Sequence, residues 1–328
     1  MKSTLAVVLV ATVATSVLTG CGGSSDDSSS AGGSSTVKVA YVPLGLFAPL
    51  YVAQEKGYFK QKGITVQLDK VTSGQDAIPL AAAGKEDVVI GGFSAGLFSS
   101  VQSGLNIKVV GSMNVADGST ENTPTSLVVT KESGINSLSD MKGKKVAVLA
   151  GPGGAGAFIL GQILKPAGLS VNDVTMVNIK SSDMPAAAQS GSVDAAMASY
   201  PYNLQIANKG GSNLAVPPKG LTSGGVVYGG DFAKNTKTAT DFMAALQMAS
   251  KDLQGDYRKN SELLGYIGKY TGESTSSLKT APYNTWEPRL QPLPDQLTAM
   301  QEVWISSGAL KYSTPIPAAK YVDDSFTE

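Results

Sequence analysis

The sequence predicts an α/β protein of two lobes, each a parallel sheet flanked by helices, joined by two crossing strands with a ligand cleft between the lobes. Three observations carry this reading. Strand-like and helix-like segments alternate along the first 200 residues, the pattern of parallel strands joined by right-handed helical crossovers. The chain also matches itself at a shift of 107 residues. "KVAYVPLGLFA" (Lys38–Ala48) lies on "KVAVLAGPGGA" (Lys145–Ala155), and Asp76, Gly84 and Asp87 fall on Asp183, Gly191 and Asp194. Matched order in a resumed register indicates two related supersecondary units. Finally, one segment leads from the first unit to the second and a Gly-rich strand returns, which makes two crossings and a natural hinge.

In the first unit, "VKVAYV" reads as a strand, "PLYVAQEKGYF" as a helix and "ITVQLDKV" as an alternating strand. "GQDAIPLAAAG" is a helix ended by Gly84, and "DVVIGG" is a buried strand. "NIKVVGSMN" adds a further strand. "TPTSLVVTKESG" then leads through the polar "INSLSDMKG" to the second unit. That unit reads "KKVAVLA", "GAFILGQILKPAG", "VTMVNI", "SSDMPAAAQSG" and "DAAMAS". "LTSGGVVYGGDF" is the returning strand. Two long helices follow. In one, Phe242, Leu246, Ala249 and Leu253 recur at helical spacing behind Thr240 as a candidate N-cap. In the other, Pro294 stands near the start, Leu297, Met300 and Trp304 share a face, and Gly308 follows the end. Lobe I is expected to comprise residues 37–123 plus 226–328, and lobe II residues 124–225.

Composition narrows function by exclusion. The chain's 328 residues hold 26 basic and 26 acidic side chains, so no overall field favours nucleic acid or an anionic membrane. There is no His, which removes the commonest general base and nitrogen metal ligand. Arg258 and Arg289 are the two arginines, so bidentate clamps for carboxylate or phosphate are scarce. The single Cys, Cys21, allows neither an internal disulfide nor a Cys-cluster metal site. No G-x-S-x-G is present. The expectation is a protein with no cofactor, no metal and no catalytic residue.

The N-terminus accounts for the Cys. "LAVVLVATVATSVL" (Leu5–Leu18) is shorter than the ~20 residues that span a bilayer. It runs into "LTGC" (Leu18–Cys21), which resembles a bacterial lipobox. Residues 1–20 are therefore expected to be a signal peptide and Cys21 an acylated residue at the cell membrane. Residues 21–36, rich in Gly and Ser, would form a flexible tether reaching about 20 Å. The body would then lie on the extracytoplasmic side, periplasmic or at the cell surface.

Particular phrases resemble a known family. "APLYVAQEKGYFKQKGITVQL" (Ala48–Leu68) is similar to the first-helix signature of ABC-importer solute-binding proteins of the sulfonate, taurine and nitrate group, which includes thiamine-precursor binders. "SLSDMKGKKVAV", "ILKPAGLSVNDV" and "SGSVDAAMASYPY" resemble its second-lobe signatures. The resemblance covers roughly residues 37–310, a two-lobe length. It implies two Rossmann-like lobes of the type II periplasmic-binding-protein kind that close on a small molecule, a monomer, and partnership with an ABC permease and its ATPase. It favours an alkanesulfonate or taurine-like ligand, with a thiamine-type pyrimidine or another aromatic, or nitrate, as alternatives. Nitrate binders of the group tend to use His or basic side chains at the anion, and yeast-type pyrimidine synthases of this fold use His and a Cys-rich motif. This chain has no His, and its one Cys is Cys21.

"GPGGAG" (Gly151–Gly156) fits G-x-G-x-x-G and lies between a strand and a helix, which raises a nucleotide-dependent oxidoreductase as a reading of another class. A dinucleotide site also needs an acid after the next strand. Asp173 precedes "VTMVNI", whose strand ends at Asn178-Ile179-Lys180, and no G-K-[ST] follows the loop. The loop instead reads as a helix N-terminus where Gly153, Gly154 and Ala155 cradle an oxyanion. A β-branched residue at Gly154 is expected to abolish binding with folding left largely intact.

Ligands of parallel α/β sheets bind beyond the carboxyl ends of strands. In lobe I that rule nominates Leu44, Gly45, Leu46 and Phe47, then Ser73, Gly74 and Gln75, then Phe93 and Ser94, and Asn114. In lobe II it nominates the glycine loop, Ser181 with Ser182 and Asp183, and Tyr200 and Tyr202. Tyr228 on the returning strand and Trp286 in a late loop complete the set. Hydroxyls and backbone N–H groups would bind oxygens, and Phe93, Tyr200, Tyr202 and Trp286 would enclose an apolar part. For each aromatic the alternative is core packing. Asp76 and Asp183 begin helices, where a carboxylate stabilises the N-terminus, and Asp87 and Asp194 fix turns into strands.

Overall fold

Two five-stranded sheets form the framework, and each strand of one has a counterpart in the other. The computed structural model describes residues 35–120 and 123–328. The expected signal peptide, Cys21 and the tether up to residue 34 lie outside the described residues. The first sheet holds β1 (Ser35–Tyr41), β2 (Ile64–Lys70), β3 (Val88–Gly92), β4 (Ile107–Ser112) and β10 (Gly224–Gly229), in the order β2-β1-β3-β10-β4. The second holds β5 (Thr125–Val129), β6 (Lys145–Val148), β7 (Thr175–Asn178), β8 (Ala195–Ser199) and β9 (Ser212–Ala215), in the order β7-β6-β8-β5-β9. β1 begins inside the stretch expected as tether, because the Ser35 N–H already donates to Gly63 O at 3.0 Å.

The sheets are mixed, where the sequence predicts parallel ones. β10 runs antiparallel to β3 and β4, and β5 antiparallel to β8 and β9. The reason is topological. Strands β3 and β8 end at the face between the lobes, so a strand arriving from the other lobe enters at that face and must run the opposite way. The 107-residue echo is visible atom by atom. The Lys38 N–H donates to Asp87 Oδ2 at 2.8 Å, and the Lys145 N–H to Asp194 Oδ2 at 2.7 Å. Each aspartate returns its own N–H to the carbonyl of that lysine.

The helices are α1 (Ala48–Glu55), α2 (Tyr58–Gln61), α3 (Gly74–Ala82), α4 (Ala95–Gln102), α5 (Ala155–Leu164), α6 (Met184–Gln189), α7 (Tyr202–Ala207), α8 (Gly230–Lys234), α9 (Thr236–Asp252), α10 (Ser261–Thr271), α11 (Thr275–Thr280) and α12 (Pro294–Ser306). The single helix expected over "PLYVAQEKGYF" breaks into α1 and α2 at Gly57, whose φ of 71° is left-handed. The cap of α9 is Asn235, whose side chain accepts the Thr238 N–H; Thr240, the expected cap, lies inside the helix. Helix α4 has no counterpart in the sequence reading. It packs with α3 and with α12, which in turn packs with α5, and here the core runs without interruption from the first sheet to the second. Trp304 of α12 lies 5.6 Å from Phe98 of α4, ring centre to ring centre. The lobes are thus joined by this packed seam as well as by the two crossings.

Candidate functional site

A cleft opens where the strand ends of both sheets face each other. The segments after β1, β2 and β3 supply one wall. The segments after β6, β7 and β8 supply the other, and Thr125 and Ser223, at the starts of the crossings, lie between them.

Each wall follows from local sequence. After β2, Ser73 caps α3: its Oγ accepts the Asp76 N–H at 3.3 Å and donates to Asp76 Oδ2 at 2.9 Å. Gly74 must be glycine, since a Cβ there would lie 2.1 Å from Gly92 O. After β3, Ser94 caps α4 through the Leu97 N–H. After β6, Ala150 and Gly151 both take left-handed backbone, a 3-10 turn covers Gly151–Gly153, and Gly154 precedes α5 in extended backbone. A Cβ on Gly154 would lie 2.2 Å from Leu149 O. The two repeated loops are buttressed alike. The Trp286 Nε1–H donates to Leu46 O at 2.9 Å, and the Trp304 Nε1–H to Gly154 O at 3.2 Å. Tyr51 Oη adds bonds to Val42 O and Leu44 O.

The electrostatics come from backbone rather than side chains. Among the described residues, none that lines the cleft is charged. Residues at the N-termini of α3, α4 and α5 line it, and unpaired helical N–H groups there favour electron-rich atoms. The walls are otherwise Val, Leu, Ile, Phe and Met with Ser and Thr hydroxyls. Gln75 Oε1 is buried there without a hydrogen-bond partner. Such a surface suits a small, weakly polar molecule with acceptors for the helix ends and a donor for Gln75.

The structure gathers most of the residues nominated from sequence. Leu44, Leu46, Phe47, Ser73, Gly74, Gln75, Phe93, Ser94, Gly154, Ala155 and Ser181 line the cleft. Gly45 and Tyr200 line an adjoining chamber, and Asn114 lines another. Gly153 sits against the opposite lobe instead, where a Cβ would lie 3.2 Å from Gln75 Oε1 and 3.3 Å from Ala95 Cβ. Three nominated aromatics lie elsewhere. Tyr228 is fully buried, packs edge-on to Phe232 and Phe326, and donates to Ala239 O at 2.9 Å. Its side chain alternates onto the sheet face under α9 rather than toward the cleft. Trp286 is buried beside Tyr257 and acts on the cleft through Leu46. Tyr202, in the first turn of α7, packs on the core of the second sheet. Sequence reasoning passed over Thr125, Ile159, Met197, Ser199 and Ser223. Thr125 and Ser223 could have been found from the crossings, because a strand entering at the cleft presents its first residue there. Thr125 Oγ1 and Ser199 Oγ are 3.0 Å apart.

Comparisons with known proteins agree on this architecture. A family model described as "NMT1/THI5 like" matches residues 46–255. A Haemophilus influenzae protein named for thiamine biosynthesis is 29% identical over 260 residues, 77% of this chain and 78% of its own. The 4-amino-5-hydroxymethyl-2-methylpyrimidine phosphate synthase of Schizosaccharomyces pombe is 31% identical over 139 residues, 42% of this chain and 37% of that one. Among solved structures, the alkanesulfonate-binding protein of Xanthomonas axonopodis superposes with a TM-score of 0.70 at 20% identity, covering 88% of this chain and 98% of that one.

Proposed function

The chain belongs to the NMT1/THI5-like family and has the periplasmic-binding-protein fold, and from that premise we propose that it is the solute-capturing component of an ABC importer. In this reading the lobes close on one small molecule and present it to a membrane permease driven by an ATPase. Acylation of Cys21 would hold the chain at the extracytoplasmic face. The ligand the cleft suits best is a neutral heteroaromatic of the thiamine-pyrimidine type. The observation that carries this is the absence, among the described residues lining the cleft, of any charged side chain, together with the unpaired Gln75 Oε1. A ring amino group would donate to Gln75, ring nitrogens would accept from helix N–H groups or from Ser and Thr hydroxyls, and the apolar walls would cover both faces. The relatives named for thiamine biosynthesis and pyrimidine synthesis support the same choice.

The expected alkanesulfonate is the second reading. It is favoured by the three helix N-termini at the cleft, which can bind a sulfonate without a cation. Capture without chemistry is supported by the inventory, since the chain has no His and its one Cys is Cys21, the expected site of acylation.

Calorimetry of the purified chain with 4-amino-5-hydroxymethyl-2-methylpyrimidine, ethanesulfonate and nitrate tests the choice. The pyrimidine is expected to bind one to one with micromolar affinity, and more tightly than either anion. Tighter binding of ethanesulfonate would replace the first reading by the second. Conversion of the pyrimidine to another compound would sink the capture reading.

A further inference from the structure

Beside the main cleft lie two smaller chambers. Leu46 lines all three spaces, and Asn284 lines both side chambers. In this corner Asn114 Oδ1, Asn284 Oδ1 and Glu273 Oε2 are each buried without a hydrogen-bond partner. Buried acceptors without donors are costly, and native proteins keep few of them away from sites that a further group completes. Among the described residues the charges here share one sign: the charged residues lining the two chambers are Asp117 and Glu273. Burial pushes the Glu273 carboxyl up, while contacts with Thr271 and Tyr200 act the other way.

We propose that this corner is a second compartment of the ligand site, which receives a basic N–H-bearing substituent, an amine or an amidine, reaching past Leu46 from a head group held in the main cleft. This rests on the solute-capture reading and holds for either head group. Glu273 supplies the countercharge and the Asn284 amide oxygen takes a second N–H. Leu46 forms the partition, its carbonyl held by Trp286. A hydroxyl in the same place brings one donor and no positive charge, so Glu273 is left without a countercharge and one buried acceptor without a partner, and the compartment discriminates by what goes unsatisfied.

The test is calorimetry of the full chain with two pairs of compounds that exchange an amine for a hydroxyl. One pair is taurine and isethionate. The other is 4-amino-2-methylpyrimidine carrying a 5-aminomethyl or a 5-hydroxymethyl group. In the pair whose head group fits, the amine is expected to bind about tenfold or more tightly. Glu273→Gln and Asn284→Ala should each reduce that ratio by about threefold or more. Equal affinities within each pair, tighter binding of the hydroxyl members, or a ratio that neither variant changes would overturn the compartment while leaving solute capture standing. If no amine member binds, the compartment is overturned as well, and capture then stands or falls on whether the hydroxyl members and simpler solutes bind.

Discussion

Gly154 shows how little room the site leaves at its tightest point. Its missing Cβ would meet backbone at Leu149 O, 2.2 Å away, so a β-branched residue there must displace the loop itself. The sequence expectation that such a change spares folding is therefore corrected. Gly154→Val should cost about 1–3 kcal/mol of stability, the usual penalty of overpacking, measurable by urea denaturation. Ala155 is the better probe, because it lines the cleft directly. Ala155→Leu is expected to weaken ligand binding by about 100-fold by filling the space, with unfolding free energy changed by less than about 1 kcal/mol. Glu273 gives a pH test. Burial raises its carboxyl, so the folded chain keeps that proton to higher pH than the unfolded chain does. The charged carboxyl is then a liability above the folded value, and the liability is gone below the unfolded value of about 4.3. Glu273→Gln should raise Tm of the ligand-free chain at neutral pH, and the gain should vanish near pH 4. A gain that persists in acid would contradict the assignment.

At the scale of elements, helix starts make the site, and their positions were partly legible while their caps were not. Asp76 in the first turn of α3, Gly84 at its end, and Asp87 and Asp194 at the turns into strands each occupy the role that residue type and position predict, whereas sequence reasoning passed over Ser73 and Ser94 as caps. Ser73→Ala should cost about 1 kcal/mol in urea denaturation, because α3 loses its cap, and should weaken binding at Gln75, two residues on. What stayed hidden depends on contacts distant in sequence. Helix α4 is short and nearly uncharged, so its pattern resembles that of a loop with apolar residues. The bond from Trp304 to the Gly154 carbonyl joins residues 150 apart. Periodicity placed Trp304 on a buried face without saying what it would meet. Tyr228 failed for a related reason: the strand was found, but which face it turned to the cleft was set by its neighbours. Trp304→Phe keeps an aromatic ring and removes the donor, and is expected to cost about 1–3 kcal/mol from the lost bond and the smaller ring.

Over the whole molecule, the repeat read from sequence becomes two sheets of one topology facing each other across a cleft. The crossings were legible as segments; their antiparallel direction was not, since it follows from the point of entry rather than from composition. The packed seam of α4, α5 and α12 would give the proposed closure a fulcrum beside the two crossing strands. The central claim is that this uncharged cleft reversibly holds one unmodified small molecule. Native mass spectrometry of the freshly purified chain, with the released ligand identified after mild denaturation, tests it most directly. The claim predicts one small organic molecule per chain, recovered chemically unchanged, and absent from Ala155→Leu prepared the same way. A chain that takes up no solute even after incubation with pyrimidines and sulfonates, or an Ala155→Leu chain that carries the same molecule, would contradict it.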